Sequence, residues 1–324
     1  MFGSKKKQIK AILMLSGGLD SILAGKLLQE QGIRVIGVNF YSDFFGNQKA
    51  IAAAEQLRIA FTSIKLENDY IKMLQSPKHG RGAGMNPCID CKIFMLKEAK
   101  KLMKKFNADF IATGEVLNER PMSQYRGALM LIEKEAGLSR MILRPLSAKE
   151  LDPTIAEEQG IVDRSKLLDI QGRERKIQME MAKKYKLNYP APAGGCLLCE
   201  KAYANKLKDL FEHEETSNED VKLLKLGRHF RFKGKKIIVG RDEKENKELM
   251  KFKGIKFIPS NKIPGPVTLM KDGGREEIRK AAEFTAFHSD LKEPMDIKFG
   301  KKDFNNTIFV ILPDKEEVEK LRIS

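Results

Sequence analysis

The chain has 324 residues, 42% of them hydrophobic, which is enough for two domains with separate cores. No apolar run approaches membrane-spanning length, and the first seven residues contain no apolar signal core, so we expect a cytoplasmic protein with no membrane partner. The formal net charge is +16, and the residues from Thr216 onward carry +7 of it. A basic surplus in both halves is typical of proteins that bind a nucleic acid, although a lysine-rich thermophile surface gives the same balance.

The most informative motif follows a short apolar run near the N-terminus. Residues 11–15 predict a buried parallel strand, and apolar residues between 22 and 28 recur at helical spacing until Gly32. The turn between them reads Ser16-Gly17-Gly18-Leu19-Asp20-Ser21. Small side chains leave the N–H groups of a helix start open to an anion, and the carboxylate suits a metal ion or a ribose. The motif predicts a phosphate-binding loop that is not of the Walker type, because no Gly-Lys-Ser/Thr follows.

Strand and helix patterns then alternate. Further strands are predicted at 33–40, 59–66 and 108–114, with helices at 50–57 and 93–106. This alternation predicts an α/β domain with a doubly wound parallel sheet, which binds ligands beyond the carboxyl ends of its strands. The residues that follow or end those strands join the predicted nucleotide pocket, although they also serve simply to end a strand: Asn39, Phe40, Thr113, Gly114 and Glu115.

The pattern changes after Phe211. Residues 212–220 are polar and charged, which favours a linker. Short strand-like segments, a helix at 275–287 and a last strand at 307–312 follow. We therefore predict a first domain over residues 1–215 and a smaller α+β domain over residues 216–324.

Four cysteines form two pairs, Cys88-x-x-Cys91 and Cys196-x-x-Cys199. In a cytosolic chain such pairs indicate metal, cluster or redox chemistry before structural disulfides. The pairs are too far apart in sequence for a compact zinc ribbon, and they meet only if the fold joins two loops. A helix start also lowers thiol pKa values, which suits ligands and nucleophiles. An iron–sulfur cluster, structural zinc (Zn²⁺) and a dithiol or persulfide relay all fit this pattern.

The loop Ser-Gly-Gly-Leu-Asp-Ser resembles the signature of the PP-loop ATP pyrophosphatases, which have the adenine nucleotide alpha hydrolase-like fold. The series SGGLDS, NPCIDCK, ADFIATGEV, ERPMSQ, ILRPLSAK, GRERKIQ and YPAPAGGCLL resembles the MnmA/ThiI-like tRNA thiolation enzymes over nearly all of the first 210 residues. The resemblance implies an ATP-dependent tRNA sulfurtransferase that adenylates a uridine carbonyl oxygen and replaces it with sulfur, giving 4-thiouridine or 2-thiouridine. It implies ATP bound by Ser16, Gly17, Gly18, Asp20 and Ser21, with Mg²⁺.

The same resemblance implies roles for the cysteines. Cys91 and Cys196 match the two catalytic cysteines, which act together with Asp20 at the loop. Cys88 stands where many 2-thiouridine synthases have Asp, as in cluster-dependent thiolases, so Cys88, Cys91 and Cys196 are the implied ligands of a 4Fe-4S cluster. Cys199 departs from the family, which commonly has Thr there, and is a spare thiol. The implied sulfur donor is free sulfide or a persulfide from a cysteine desulfurase.

The C-terminal part resembles the NFACT-R module, through Ile238 to Asn246, the Ile-Pro-Gly-Pro run at 263–266 and residues 281–289. That resemblance implies RNA binding, although a dimerisation module is the alternative, and the oligomeric state is left open. Basic candidates for RNA contact there are Arg228, Arg231, Lys235, Lys236 and Arg241. In the first domain Arg120, Gln124 and Arg144 are candidates for ATP or tRNA phosphates, with surface salt bridges as the alternative. Candidates for the RNA backbone are Arg173, Arg175 and Lys176, with a solvated helix face as the alternative. Rival functions are an RNA- or ribosome-binding adaptor with a regulatory ATPase, and another PP-loop tRNA-modifying ligase.

Overall fold

The computed structural model describes residues 8–191, 196–260 and 263–324. The chain divides into two compact units, Met1–Cys196 and Leu197–Ser324.

Unit 1 is built on a parallel sheet whose strands alternate with helices. Its strands are β1 (Lys10–Met14), β2 (Arg34–Tyr41), β3 (Ala60–Lys65), β4 (Phe110–Thr113) and β5 (Ile142–Leu143). Its helices are α1 (Leu19–Glu30), α2 (Gln48–Leu57), α3 (Asn68–Gln75), α4 (Cys88–Lys105), α5 (Arg126–Ala136), α6 (Ile155–Glu158) and α7 (Lys176–Lys184).

The strand order of this sheet is β3-β2-β1-β4-β5, and every pairing is parallel. The chain runs outward from β1 through β2 to β3, and then crosses back to the other side of β1 at β4. The order therefore reverses between β1 and β4. In such sheets the crevice beyond the carboxyl ends of the two strands at the reversal is the usual ligand site.

Local sequence explains why these segments pack as they do. Ala11 and Leu13 of β1 are fully buried among residues of α1 and α2. The buried alanines of α2, at 50, 53 and 54, let that helix approach the sheet closely. A strand buried on both faces needs a continuous apolar run, which residues 11–15 provide. The predicted doubly wound α/β fold is confirmed.

Unit 2 is a separate antiparallel sheet with helices. Its strands are β6 (Arg228–Phe232), β7 (Lys235–Val239), β8 (Ile255–Pro259), β9 (Thr268–Met270), β10 (Met295–Gly300) and β11 (Asn306–Val310). Its helices are α8 (Lys201–Glu212), α9 (Asn218–Leu223), α10 (Glu243–Leu249), α11 (Arg275–Phe287) and α12 (Lys315–Lys320). The strand order is β11-β10-β8-β9-β7-β6, and buried side chains of α11 pack into a core with this sheet. The predicted second α+β domain is confirmed.

The division between the units differs from the predicted boundary at 215/216. Residues 212–220, predicted as a linker, lie within unit 2. Asp209 of α8 pairs with Arg231, which also binds Glu215 at 2.9 Å, and Ser217 caps α9. The polar residues that favoured a linker are therefore partners of unit 2 side chains, which composition alone does not show.

No helix among the described residues is both long enough and apolar enough to cross a membrane.

Candidate nucleotide and thiol site

The loop between β1 and α1 has a backbone conformation that requires a glycine at position 17. Gly17 has φ +80°, and a Cβ there would lie 2.2 Å from the carbonyl carbon of Lys49 at the start of α2. Ser16 Oγ donates to Ser21 Oγ at 3.2 Å, and Ser21 Oγ donates to the carbonyl of Gly18 at 2.8 Å. Gly18 is the N-cap of α1 and makes no side-chain cap. The loop is thus held from within, and no capping side chain covers the first turn of α1.

Asp20 lies in the first turn of α1 and is mostly buried. Its Oδ2 is 3.8 Å from Nη2 of Arg175, while its Oδ1 is buried with no hydrogen-bond partner among the described residues. Burial raises the pKa of Asp20, and the charges of Arg175 and Arg120 oppose that rise without cancelling it. The buried side-chain amide of Gln178 lies near this carboxyl and helps to lower its pKa, but neither of its polar atoms makes a hydrogen bond of good geometry within the described structure. Buried polar atoms without partners point to a polar ligand or metal ion at this position.

The end of β4 closes the other side of the crevice. A Cβ on Gly114 would lie 2.4 Å from the backbone nitrogen of Ser21 and 2.5 Å from the carbonyl carbon of Asp20. The backbone of Gly114 therefore packs directly on the start of α1. This contact brings together the two strand ends at the point where the strand order reverses.

The other predicted pocket residues at strand ends make internal contacts. Asn39 is buried, and its Nδ2 donates to the carbonyl of Leu15 at 2.9 Å, which fixes the end of β1. Phe40 is buried in the described structure. Thr113 Oγ1 donates to Glu115 Oε2 at 3.1 Å. These side chains shape the crevice, and direct contact with a nucleotide stays a prediction for them.

Two thiols occupy the first turn of α4. Asn86 Nδ2 donates to Cys88 Sγ at 3.2 Å, and the hydroxyl of Tyr70 lies 3.1 Å from Cys91 Sγ. Tyr70 is fully buried. Three phenylalanine rings surround it with centroid distances of 5.6–6.2 Å: Phe44, Phe45 and Phe94. Both thiols are therefore held by specific hydrogen-bond partners rather than left to rotate.

Electrostatics connect a third cysteine to this pair. Burial raises the pKa of Tyr70 well above its usual value, and negative charge on Cys91, Cys196 and Cys88 raises it further. Cys196 therefore lies within electrostatic range of the same hydroxyl. The pKa of Cys91 is raised to about 11 by burial, so the pKa lowering expected for a helix start is wrong here. Desolvation outweighs both the helix start and the Tyr70 hydrogen bond.

Binding of a metal group by the cysteines stays a prediction. All four cysteines are reduced thiols. No group of three or more His, Cys, Asp or Glu side chains within the described ranges has metal-binding geometry. Residues 192–195, the part of the YPAPAGGCLL motif just before Cys196, lie outside the described residues. Cys199 is exposed and belongs to unit 2.

A buried ion network joins the thiol helix to the nucleotide crevice. Glu115, which follows Gly114, pairs with Lys92 at 2.6 Å and with Arg144 at 2.9 Å. Burial alone would raise the pKa of Glu115, but these two cations outweigh it and lower the pKa to about 2. Because Lys92 is the residue after Cys91, the network fixes the start of α4 against the end of β4.

Sequence reasoning missed Tyr70 and Lys92, and it placed Glu115 at the pocket without its ion pairs. Tyr70 lies in α3, which carried no motif, and its role depends on packing against α4. Glu115 and Lys92 stand within the motifs ADFIATGEV and NPCIDCK, directly after Gly114 and Cys91. Their position beside site residues was the available signal.

Several predicted phosphate contacts of unit 1 have other partners. Arg144 is 3% exposed and pairs with Glu115 and Glu133, while its Nη2 is buried with no hydrogen-bond partner among the described residues, so its contact with ATP or tRNA phosphates stays a prediction. Arg175, grouped with Arg173 and Lys176 as an RNA contact, lies beside Asp20 instead. Gln124 is buried, and its Oε1 has no partner among the described residues.

In unit 2 the predicted RNA contacts divide into two sets. Arg231 and Lys236 both pair with Asp209, and Lys235 pairs with Asp272. These three side chains form ion pairs within the domain, and their contact with RNA stays a prediction. The remaining two, Arg228 and Arg241, belong to a different cluster that is described below.

The parallel sheet with its reversal at β1 and β4, the glycine-rich loop and the buried carboxylate of Asp20 form a crevice of the kind that binds ligands in doubly wound α/β domains. Residues 6–166 match the family model "Thiamine biosynthesis protein (ThiI)", and residues 227–322 match "NFACT protein RNA binding domain". The first match lies within unit 1 and the second within unit 2.

Curated relatives match the first part of this description. The chain is 28% identical over 145 residues to the "Probable tRNA sulfurtransferase" of Alkaliphilus metalliredigens, covering 44% of this chain and 36% of that protein. It is 30% identical over 168 residues to the protein of the same name from Thermococcus kodakarensis, covering 49% and 43%. It is 34% identical over 130 residues to "tRNA-specific 2-thiouridylase MnmA" of Clostridium acetobutylicum, covering 32% and 35%. The chain thus spans less than half the length of these relatives.

Two solved structures resemble this chain at low TM-scores. One is "U34-tRNA thiolase NcsA from Methanococcus maripaludis with its [4Fe-4S] cluster", 18% identical, covering 68% of this chain and 71% of that chain at a TM-score of 0.34. The other is a "4-thiouridine synthetase - RNA complex with bound ATP", 21% identical, covering 66% and 53% at a TM-score of 0.36.

Proposed function

We propose that this protein is an ATP-dependent tRNA sulfurtransferase. The observation that carries the proposal is the connection between the two halves of the site. The loop and the start of α1, where Asp20 Oδ1 has no hydrogen-bond partner among the described residues, pack on Gly114. The residue after Gly114, Glu115, pairs with Lys92, which follows Cys91. A reaction that needs both nucleotide and thiol requires this proximity. Relatives named as tRNA sulfurtransferases support the reaction class.

In the proposed reaction, a uridine carbonyl oxygen attacks the α-phosphorus of ATP and pyrophosphate leaves. A sulfur nucleophile then adds to the ring carbon, and AMP leaves with the former carbonyl oxygen. If free sulfide is the donor, no change of oxidation state is needed. If a persulfide on one cysteine is the donor, the second cysteine releases the product, and a cellular thiol reduces the resulting disulfide between Cys91 and Cys196.

The residues of the loop fit ATP with Mg²⁺. Gly18 leaves room beside the start of α1, because a methyl group added there would have Ser16 Oγ as its nearest neighbour, at 3.5 Å. The unpartnered carboxylate oxygen of Asp20 suits a hard cation, which prefers oxygen ligands. Mg²⁺ there would offset the charge of the triphosphate.

The thiols fit a metal group by their chemistry, although the described side chains do not form a ready site. Cys88, Cys91 and Cys196 would hold a 4Fe-4S cluster, which supplies an iron coordination position open to sulfide; Zn²⁺ on the same thiols is the alternative. A cation at Cys91 would displace the proton that burial now retains.

The test uses the full chain, a transcribed tRNA, ATP, Mg²⁺ and sodium sulfide under anaerobic conditions. We expect 4-thiouridine or 2-thiouridine in the digested tRNA by mass spectrometry, with AMP formed in equal amount. The sulfide arm removes dependence on an unidentified protein donor. If AMP is formed and tRNA is modified without sulfur, the protein is a PP-loop ligase. If tRNA binds and no nucleoside changes, it is an RNA-binding adaptor.

A further inference from the structure

Four basic side chains of unit 2 gather around one buried carboxylate. We call them the cationic cluster: Lys206 of α8, Arg228 at the start of β6, Arg241 after β7, and Arg322 after α12. Glu245 of α10 accepts the backbone N–H of Gly227 at 3.1 Å and that of Arg241 at 2.9 Å on the same oxygen. Glu245 thereby ties the turn before β6 to the turn after β7.

The same turns hold the basic side chains in place. Lys206 Nζ donates to the carbonyls of Gly227 at 3.3 Å and Leu224 at 3.4 Å. Arg228 Nη1 donates to the carbonyl of Gly240 at 3.3 Å, one residue before Arg241. Arg322 joins them because its backbone bridges to Phe230 in β6. The arrangement is therefore fixed by backbone contacts rather than by chance side-chain positions.

Positive charge in the cluster is not balanced. Arg241 pairs with Glu245, and Arg322 pairs with Glu319 at 3.1 Å, but Lys206 and Arg228 donate their side-chain hydrogen bonds within the described ranges to neutral carbonyls. Burial lowers the pKa of Lys206 to about 8, together with repulsion from Arg241, Lys236 and Arg322. Burial and the charges of Arg322 and Arg241 also lower the pKa of Arg228.

Other basic residues of unit 2 show the contrast. Arg231 is neutralised by Asp209 and Glu215, and Lys235 pairs with Asp272. Holding like charges together costs stability in the absence of a ligand, and an anion among them restores it. Guanidinium groups additionally match the paired oxygens of a phosphate.

We propose that the cationic cluster binds the phosphodiester backbone of RNA, with Lys206, Arg241 and Arg322 contacting phosphate oxygens and Arg228 positioning the turn. The inference rests on the proposed function only for the choice of RNA as the partner. The inference assigns RNA binding to particular residues of the domain. The family match and the total charge do not identify those residues.

The test compares three variants of the full chain with the wild type. The first removes charge from the cluster: Lys206→Gln, Arg241→Gln and Arg322→Gln. The second keeps the charge: Lys206→Arg, Arg241→Lys and Arg322→Lys. The control removes the same charge from exposed, paired lysines of unit 2: Lys233→Gln, Lys247→Gln and Lys251→Gln. Circular dichroism verifies that each variant is folded.

Binding of a transcribed tRNA is measured by fluorescence anisotropy between 50 and 300 mM salt (about the range over which counterion release is resolved). We expect the charge-removed variant to lose at least about tenfold in affinity and about 2 in the slope of log K against log salt. The charge-kept variant should stay within about threefold of the wild type, and the control should lose less than about 1 in slope.

Equal losses in the charge-removed variant and the control overturn the inference, because general charge would then explain the binding. A charge-kept variant that binds as poorly as the charge-removed one overturns it too, since the effect would be structural. Thionucleoside formation is measured separately. If the wild type makes none but tRNA binding still depends on the cluster, the proposed function fails and this inference stands. If thiolation occurs and the cluster variants bind like the control, this inference alone fails.

Discussion

Two adjacent glycines of the loop have different physical requirements. Gly17 needs its positive φ and meets the backbone of Lys49, whereas Gly18 has φ −80° and a Cβ added there would make an ordinary contact with Ser16 Oγ at 3.5 Å. We expect Gly18→Ala to leave the unfolding temperature within about 2 °C of the wild type, because a half-buried change that creates no clash costs under about 0.5 kcal/mol. ATP affinity should fall at least about tenfold, because the methyl group occupies the space for phosphate. Calorimetric titration with ATP measures it, and unchanged affinity would place the nucleotide elsewhere.

The carboxylate of Asp20 is expected to act on the metal–nucleotide complex. Asp20→Asn keeps the shape and removes the charge, so AMP formation should fall at least about 10²-fold. The control is Asp69→Asn, which also lies in the first turn of a helix but is exposed and pairs only with Lys72 in the described structure. Equal rates of AMP formation in the two variants would contradict the assignment.

The cysteines are expected to differ in iron retention. After anaerobic reconstitution, alanine at Cys88, Cys91 or Cys196 should remove iron and labile sulfide together, because three thiols would hold the cluster. Cys199→Ala is the matched control, since this thiol is exposed and belongs to unit 2. Metal analysis that finds stoichiometric zinc and no iron in the wild type would assign the thiols to a structural site instead.

At the scale of single residues, the sequence predicts those whose role depends on their neighbours along the chain. The loop serines and glycines follow from a motif whose backbone needs are fixed by short spacing. Tyr70 does not follow, because its contact with Cys91 arises when α3 packs beside α4. The raised pKa of Cys91 does not follow either, since burial depends on the surrounding fold.

At the scale of elements, the buried network of Glu115 holds α4 against the end of β4. Glu115→Gln leaves Lys92 without its carboxylate partner and Arg144 with Glu133 alone, which should destabilise unit 1 by roughly 3 kcal/mol at pH 7. We expect this loss by pulse proteolysis in urea, read at cleavage sites between residues 88 and 145. The control is Glu67→Gln, whose side chain is 65% exposed and 3.8 Å from Lys65. It should change stability by less than about 0.5 kcal/mol.

The pH dependence of this effect has a definite sign. The pKa of Glu115 is about 2 in the folded protein, below the usual value of 4.5. Its contribution is therefore fully present above about pH 4.5 and is lost as the pH falls toward 2. The difference between wild type and Glu115→Gln should shrink as the pH falls from about 5 to about 2, the window set by those two pKa values. A difference that stays constant over that window would mean that folding leaves the pKa of Glu115 unchanged.

The elements themselves were predictable where a pattern repeats. The helix at Arg275–Phe287 agrees with the predicted bounds, and the first four strands of unit 1, β1 to β4, agree within two residues at each end. The short edge strand β5 was not predicted, because two residues carry no period. Helix α8 was missed as part of unit 2, because its attachment through Asp209 to Arg231 is a long-range ion pair.

At the scale of the whole molecule, the two units have separate cores. The buried clusters of unit 1 draw on residues up to Tyr189, and those of unit 2 begin at Leu223. Each unit therefore has its own apolar support for folding. We expect a fragment of residues 1–196 to fold and to bind ATP like the full chain, whereas a cut at 215/216 would retain α8 without its partner Arg231.

The same fragment tests how RNA binding is shared. Residues 197–324 carry +5 of the net charge of +16 and include the whole cationic cluster. Removing them should lower tRNA affinity and reduce the salt slope by about 2 or more, because fewer counterions are displaced from the RNA. The charge-removed cluster variant of the full chain is the matched control and should show a similar slope, since it loses the same phosphate contacts. If the fragment keeps the affinity and slope of the wild type, unit 2 does not contact tRNA. Light scattering of the full chain against the fragment would then test whether unit 2 serves self-association instead.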